Sequence, residues 1–343
     1  MADDHILLAH GSGGLLGHRL VRDLFAAAFD NPILAPLDDA AVLAEWGIDQ
    51  AGPLRLAFTT DSYVVRPLTF PGGDIGRLAL CGTVNDLAMV GAEPLYVSAA
   101  FIIEEGFALA ELRRYVDSMR AAAEEAGVRI VAGDTKVVER GGADGLFINT
   151  AGVGLVPADV HISGSGAREG DVILLSGAVG DHGMAVMSQR EGLQFDAPIL
   201  SDCAPLNGMV RALLGAVPGA VHSLRDPTRG GLASTLCELA ETSALSFEVE
   251  EAAIPVHGAV RGASELLGLD PLFVANEGKL VAIVRSQAAG EALEALRGHP
   301  YGREATQIGR VTGEHPGRVI LRTVYGAARI LQMPAGELLP RIC

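Results

Sequence analysis

Residues 55–94 read RLAFTTDSYVVRPLTFPGGDIGRLALCGTVNDLAMVGAEP, and the fold turns on how this stretch is read. Leu54, Leu56 and Phe58 alternate with smaller or polar residues, the period of a half-buried strand. That strand runs into Thr59-Thr60-Asp61-Ser62, which places a carboxylate where an α/β strand delivers its ligands. Pro71-Gly72-Gly73 then breaks the chain, and Asp74 is positioned to cap a helix beginning near Ile75. Small residues line that helix (Ala79, Cys81, Gly82, Ala88) and let another backbone approach closely. Its apolar second half carries Asn85-Asp86, and a carboxylate there is costly unless it is paired, hydrogen-bonded or bound to a cation.

Working outward, the chain's 343 residues exceed one ordinary core and suggest two domains. The polar, Gly-rich stretch 157–168 marks the boundary. It divides the chain into an N-terminal domain over 1–156, a C-terminal α/β domain over 157–325 and a mobile tail over 326–343. Hydrophobic residues make up 49%, with no apolar run as long as a membrane span. The opening MADDHILL lacks a basic region followed by a long apolar segment, so no signal peptide is expected. Four cysteines, Cys81, Cys203, Cys237 and Cys343, lie far apart without C-x-x-C spacing. This argues against a zinc site or a disulfide framework and points to a cytoplasmic protein. A formal charge of −16 disfavours a nucleic-acid partner, whose phosphates would be repelled.

In chain order, residues 5–9 read as a short strand entering His10-Gly11-Ser12-Gly13-Gly14 and a helix over 15–29. A Gly-rich turn before a helix can place backbone N–H groups around a phosphate, although neither a Rossmann nor a P-loop spacing is present. Asp38-Asp39 leads into an apolar strand. Residues 96–103 form a strand, and 108–126 an amphipathic helix stopped by Gly127. Residues 128–131 form a strand expected to end at Ala132-Gly133-Asp134-Thr135-Lys136, and 146–156 a strand of small and β-branched residues. The second half reads as strands over 171–176, 272–275, 279–284, 305–311 and 318–323. Helices cover 206–214 and 232–241, and a second Gly-rich loop spans Ser223 to Gly231.

If Asp39, Asp61, Asp86 and Asp134 converge, they require divalent cations. Two carboxylates about 4 Å apart repel by roughly 4 kcal/mol at an effective dielectric of 20. Mg²⁺ takes a few carboxylates together with phosphate oxygens and water, the chemistry of nucleotide use. Lys136 would then supply a point charge to a transferring phosphoryl group. An acid at a turn such as Asn276-Glu277-Gly278 is as often solvated as functional.

Several blocks, taken in order, carry a resemblance: His10-Gly11-Ser12-Gly13-Gly14, Thr59-Thr60-Asp61-Ser62, Pro71-Gly72-Gly73-Asp74-Ile75-Gly76 and Gly82-Thr83-Val84-Asn85-Asp86-Leu87-Ala88-Met89. They are followed by Ala132-Gly133-Asp134-Thr135-Lys136, Asp226-Pro227-Thr228-Arg229-Gly230-Gly231, Asn276-Glu277-Gly278-Lys279 and the terminal Pro340-Arg341-Ile342-Cys343. Together they resemble the HypE family of hydrogenase maturation factors, within the aminoimidazole ribonucleotide synthetase (PurM-like) superfamily. The resemblance implies an α/β (α+β) fold whose N-terminal domains pair into a dimeric β-barrel, with ATP and Mg²⁺ bound near the acidic strand ends. It implies that Cys343 receives a carbamoyl group from the carbamoyltransferase HypF. The S-carboxamide would be dehydrated to a thiocyanate with ATP, and cyanide passed through HypC and HypD to the iron of [NiFe]-hydrogenase. Carried onto this sequence, the nucleotide set is Asp39, Thr60, Asp61, Asp86, Gly133, Asp134, Thr135 and Arg229. The metal set is Asp39, Asp61, Asp86 and Asp134, and the catalytic set is Cys343, Lys136 and Glu277, the last as base.

Two rivals compete with this reading. An enzyme of the same fold with a free substrate, such as a phosphoribosyl-formylglycinamidine cyclase or a thiamine monophosphate kinase, would not need Cys343. A metallochaperone would need clustered histidines, whereas the nine here are scattered. In the tail, Pro334, Gly336 and Pro340 oppose a stable helix. The twelve links from Leu331 to Cys343 reach about 40 Å at most, enough to carry a thiol into a buried site.

Overall fold

A computed structural model describes residues 14–28, 31–43, 54–193, 198–334, 339 and 341–343. The expected strand over 5–9 and residues 10–13 of the first Gly-rich turn lie outside these.

The centre of the N-terminal half is a helix that is apolar all round. Helix α1 (Leu15–Leu20) passes into a π-helical turn, Val21–Ala26, and is followed by strands β1 (Ala41–Leu43) and β2 (Leu54–Tyr63). A two-strand ribbon, β3 (Thr69–Phe70) and β4 (Gly73–Asp74), delivers the chain to α2 (Ile75–Met89). Asp74 caps α2 as its sequence suggests, accepting from the backbone N–H groups of Gly76 and Arg77 at 2.9 and 3.0 Å. Such a cap contributes about 1 kcal/mol. Thirteen residues of α2 are buried, so no polar face is left for solvent. Its small residues serve the close approach expected of them. A methyl group at Gly76 would run into the Tyr115 carbonyl, and one at Gly82 into the Tyr63 hydroxyl.

Around α2 stand β5 (Glu93–Glu104), α3 (Leu109–Ala126), β6 (Arg129–Val138) and β7 (Leu146–Pro157). Gly127 ends α3 in the left-handed conformation at φ 73°. The strands form one sheet in the order β1-β2-β7-β5-β6, antiparallel except for β5 with β6. Along β7 every second residue is buried, the alternation of a sheet with one covered face. The other face exposes Phe58, Tyr96 and Ile102, and the edge strand β6 adds Asp134 and Lys136 there, opposite Ala100 and Ile102.

Strand β6 departs from expectation. It does not stop before Gly133 but continues to Val138, so Asp134 lies inside the strand rather than at its end. Gly133 is what the pairing requires, because a methyl there would collide with the Ala99 carbonyl of β5.

The C-terminal half contains β8 (Val172–Leu175), α4 (Asp181–Glu191), α5 (Asn207–Ala216), β9 (Val221–Arg225) and α6 (Gly231–Ser243). It continues through β10 (Ser246–Glu250), α7 (Gly258–Leu267), β11 (Val281–Val284), α8 (Ala289–Gly298), β12 (Thr306–Thr312), β13 (Val319–Arg322) and β14 (Ala328–Leu331). Its seven strands follow the order β14-β13-β10-β12-β8-β11-β9, and every residue of β8 and β11 is buried. Strands β9 and β10 and helices α7 and α8 are absent from the sequence reading, which has residues 223–225 of β9 in a Gly-rich loop. Residues 271–273, expected to begin a strand, form a 3₁₀ turn because Asp270 caps Leu272 N–H at 3.0 Å with Pro271 at the first position. The tail expected from residue 326 begins instead as β14, folded back on β13 through a turn at Gly326 with φ 82°.

The two halves meet at Asn85. Its amide donates to the Ala204 carbonyl at 3.1 Å, and its oxygen accepts from Leu206 N–H at 2.8 Å, all buried. Replacing Asn85 with Ala strands both backbone groups, at about 1–3 kcal/mol each. Urea titration should show the midpoint falling accordingly, and an unshifted midpoint would mean that water takes over both bonds.

Candidate functional site

Several acids from distant parts of the sequence open onto one cavity of about 1140 Å³. Asp61 comes from β2, Asp86 from α2, Asp39 from the turn before β1 and Asp226 from the residue after β9. Thr59 ties two of these elements together. Its hydroxyl lies 2.9 Å from Asp86 Oδ2 and 3.1 Å from the Asp39 carbonyl. Thr60, also lining the cavity, donates to the Thr150 carbonyl at 2.9 Å. Arg225 reaches Asp39 at 3.0 Å and Glu238 at 3.1 Å.

This grouping is electrostatically uncomfortable without a ligand. Burial pushes Asp39 up to about 8, against the pull of Arg225 and with help from Asp226 and Glu238. Burial likewise lifts Asp226 to about 6 despite Arg225. Asp86 is held well above the ordinary carboxylate range by burial, then by Asp226, Asp61 and Asp39. Arg225 and Arg229 do not balance these four acids together with Glu238 and Glu277, and the surplus suits a cation bound through oxygen. Among the described residues, no three acids, cysteines or histidines stand close enough to hold a metal ion unaided. The donors therefore fit Mg²⁺ only as partial ligands, completed by phosphate oxygens and water.

At the other end of the cavity lie Glu277, Arg229 and Cys343. Glu277 sits in a turn pinned on both sides. Asp202 accepts from Glu277 N–H at 3.0 Å and Gly278 N–H at 3.2 Å, and it pairs with Lys279 at 3.2 Å. Asn276 accepts from Gly180 N–H at 2.7 Å and donates to the Pro227 carbonyl at 2.9 Å. A side chain at Gly278 would strike the Asp202 carbonyl, so only glycine fits there. The Glu277 side chain is buried, and its Oε1 has no partner among the described residues. Burial, then Asp226, Asp202 and Asp61, raise its pKa well above the usual range. The Cys343 thiol lies within hydrogen-bonding reach of Glu277. Burial raises its pKa, and the nearby Arg229 opposes that rise. The same closeness to Cys343, and after it to Asp61 and Glu277, keeps Arg229 charged.

Not every expected residue arrives. Gly133, Asp134, Thr135 and Lys136 do not line the cavity of their own chain. Asp134 and Lys136 pair with each other at 2.6 Å and are 63% and 67% exposed. The reason is strand order. Asp134 pairs with Ala100, Ala100 with Asn149, and Asn149 with Ser62 beside Asp61. Three strand spacings, roughly 14 Å, separate the two positions. Of the four acids expected to converge, Asp39, Asp61 and Asp86 share the cavity within one chain, Asp134 does not, and Asp226 joins them. Asp226 lay in a quoted block and meets the same criterion, an acid at a strand end before a Gly-rich turn. Asp202 has no such signal, since it meets Glu277 only through folding.

The fold and the acidic cleft define an AIR synthase related protein. The family described as AIR synthase related protein, N-terminal domain, matches residues 37–156, and its C-terminal counterpart matches residues 168–322. The chain is 54% identical over 336 residues to the carbamoyl dehydratase HypE of Cupriavidus necator, covering 98% of this chain and 94% of that protein. It is similar to the crystal structure of the hydrogenase maturation protein HypE in complex with ATP, at TM-score 0.82 and 51% identity over 99% of this chain and all of that one. It is similar also to a crystallised HypE–HypF complex, at TM-score 0.86 and 49% identity, over 92% and 99% of the two chains. The chain belongs to the HypE family of hydrogenase maturation proteins.

The buried acids give the ligand-free protein a defined pH response. Asp39 and Asp226 bind protons more tightly folded than at their ordinary value of 3.8. Between pH about 4 and 8 the folded chain therefore holds more protons than the unfolded chain, and stability falls as pH rises. The melting temperature without ligand should drop from pH 5 to pH 8, and Asp39→Asn should flatten that drop. A melting temperature that climbs across this range would show that the acids ionise without cost.

Proposed function

We propose that this chain uses ATP to dehydrate an S-carboxamide carried on its own Cys343 to a thiocyanate, the source of a cyanide ligand for the iron of [NiFe]-hydrogenase. One observation carries the reading: the Cys343 thiol lies inside the acidic cavity between Glu277 and Arg229. A relative has been crystallised with ATP, and the surplus of buried acid at the cavity's other end suits a nucleotide bound with Mg²⁺.

Asp39, Asp61, Asp86 and Asp226 would hold the metal and, through it, the phosphates, with Thr60 beside them. Magnesium supplies charge neutralisation to the phosphate oxygens when bound. An amide oxygen is a poor leaving group until it is phosphorylated. The carboxamide oxygen attacks the γ-phosphorus, ADP leaves, and one N–H proton is lost. Glu277 takes the remaining N–H proton as the C–O bond breaks, so that phosphate departs and S–C≡N remains. Its raised proton affinity suits a base in a dry site. Arg229 orients the carboxamide and balances negative charge.

Lys136, with Gly133, Asp134 and Thr135, would act from a second copy. Strand β6 is an exposed edge, and the sheet face that carries Asp134 and Lys136 also exposes Phe58, Tyr96 and Ile102. A homodimer closing the N-terminal sheets into a barrel would cover this face and carry Lys136 toward the partner's cleft.

In the cytoplasm, HypF would load the thiol, consistent with the relative's complex, and HypC and HypD would take the cyanide. Among the described residues no helix is long and apolar enough to cross a membrane.

Mass spectrometry of carbamoylated protein given Mg-ATP should show the carboxamide losing one water on Cys343. Modification confined to Cys81, Cys203 or Cys237 would overturn the assignment. Glu277→Gln should keep nucleotide affinity but slow dehydration by about 10²–10⁴-fold, and a wild-type rate would remove it from the chemistry. Lys136→Ala and Asp86→Asn proteins, each inactive alone, should regain part of the activity when mixed and allowed to exchange subunits. No recovery despite exchange would place Lys136 outside the partner's site.

A further inference from the structure

The last three residues are held by two kinds of contact. One kind is polar and partly open to water. Arg341 pairs with Asp144, which also takes Arg66, and Arg190 donates to the Arg341 carbonyl at 2.8 Å. Pairs exposed like these are screened and contribute little. The Arg341 guanidinium also donates to the Val64 carbonyl at 2.9 Å, and Arg66 N–H to the Arg341 carbonyl at 3.1 Å.

The other kind is a single bond made where no water competes. His182, at the start of α4, is fully buried, and its Nε2 lies 2.9 Å from the carbonyl oxygen of Ile342. Its Nδ1 lies 2.8 Å from Ser201 Oγ, and that oxygen accepts from Cys203 N–H at 3.1 Å. A carbonyl only accepts, so Nε2 must carry the proton. In the neutral ring Nδ1 then accepts from the Ser201 hydroxyl, which remains free to accept from Cys203. Burial holds the ring neutral by lowering its pKa. Phe70 meets the imidazole edge-on at 5.2 Å between centroids, which fixes its plane. If the C-terminus leaves, the Nε2 proton is stranded in a dry pocket, and Ile342, also buried, loses its place.

We propose that His182 is a positioning residue that latches the substrate-bearing C-terminus, donating from Nε2 to the Ile342 carbonyl so that Cys343 stands beside Glu277. This rests on the reading that Cys343 carries the carboxamide. The residue after Ser201 is Asp202, which anchors the Glu277 turn. One short loop therefore sets the positions of both the base and the group it acts on.

The test is the rate at which a maleimide labels Cys343 in the full-length protein, with the modified cysteine located by peptide mass spectrometry. His182→Ala should label at Cys343 about tenfold faster, the equivalent of one hydrogen bond. His182→Gln should stay near the wild-type rate, since its amide donates to Ile342 and accepts from Ser201. Ser201→Ala keeps the ring but removes its support, and should accelerate labelling by a smaller factor. Labelling of Cys81 and Cys203 in His182→Ala would mark that variant as unfolded, and Ser201→Ala then carries the test. Wild-type labelling in Ser201→Ala and in a folded His182→Ala would overturn the latch. On pre-carbamoylated protein, His182→Ala should slow single-turnover thiocyanate formation about tenfold while the KM for ATP changes less than twofold. A shift in that KM with an unchanged turnover rate would also overturn it. Labelling needs neither ATP nor a carbamoyl group. Faster labelling in His182→Ala, with no thiocyanate formed even by wild type, would keep the latch and sink the chemistry.

Discussion

Four carboxylates drawn into one largely buried cavity set the terms for everything around them. Their mutual repulsion and desolvation are opposed within the chain chiefly by Arg225 near Asp39 and Arg229 near Glu277. The rest of the structure holds them in place despite that cost. Helix α2 is buried on nearly all sides, and its Asp86 faces Thr59. The two halves are joined beside this point by Asn85. An unpartnered charge inside a protein is retained when a ligand supplies what is missing, and here the missing charge is positive.

The loop over residues 201–206 connects this cavity to the rest of the molecule. Ser201 donates to the Pro71 carbonyl through its backbone and faces His182 through its hydroxyl. Asp202 fixes the Glu277 turn, and Arg77 of α2 donates to the Cys203 carbonyl at 2.9 Å. Ala204 and Leu206 complete the bonds to Asn85. This segment has little regular structure, yet four of its backbone groups bond to the N-terminal half: Ser201 N–H, the Cys203 and Ala204 carbonyls and Leu206 N–H.

Much of this was legible in the sequence where the physics is local. The Asp74 cap, the Gly127 stop and the alternation of β7 each depend on neighbours a few residues away. Acids in apolar or Gly/Thr-rich surroundings could be singled out the same way, and Asp39, Asp61 and Asp86 do open onto one cavity, Asp61 from within β2 and Asp86 from within α2. What depends on strand order was not legible. Asp134 carries the same local signature as Asp61, but parallel pairing of β6 with β5 at the sheet edge sends it away. Residues joined only by the folded chain left no trace at all. Asp202 and Glu277 are 75 positions apart, and His182 and Ile342 are 160 apart. Strand β14 was hidden for another reason: its short run ARIL resembles the start of an apolar tail, and only pairing with β13 makes it a strand.

If Cys343 carries the reacting group as proposed, its docked position changes what kind of kinetics the protein obeys. A group delivered on the chain's own end meets its base at an effective concentration set by geometry, not by how much protein the cell contains. Such a reactant has no Michaelis constant, and diluting the enzyme does not slow its encounter with Glu277. On that reading, discrimination between correct and incorrect acyl groups would be exercised when the thiol is loaded.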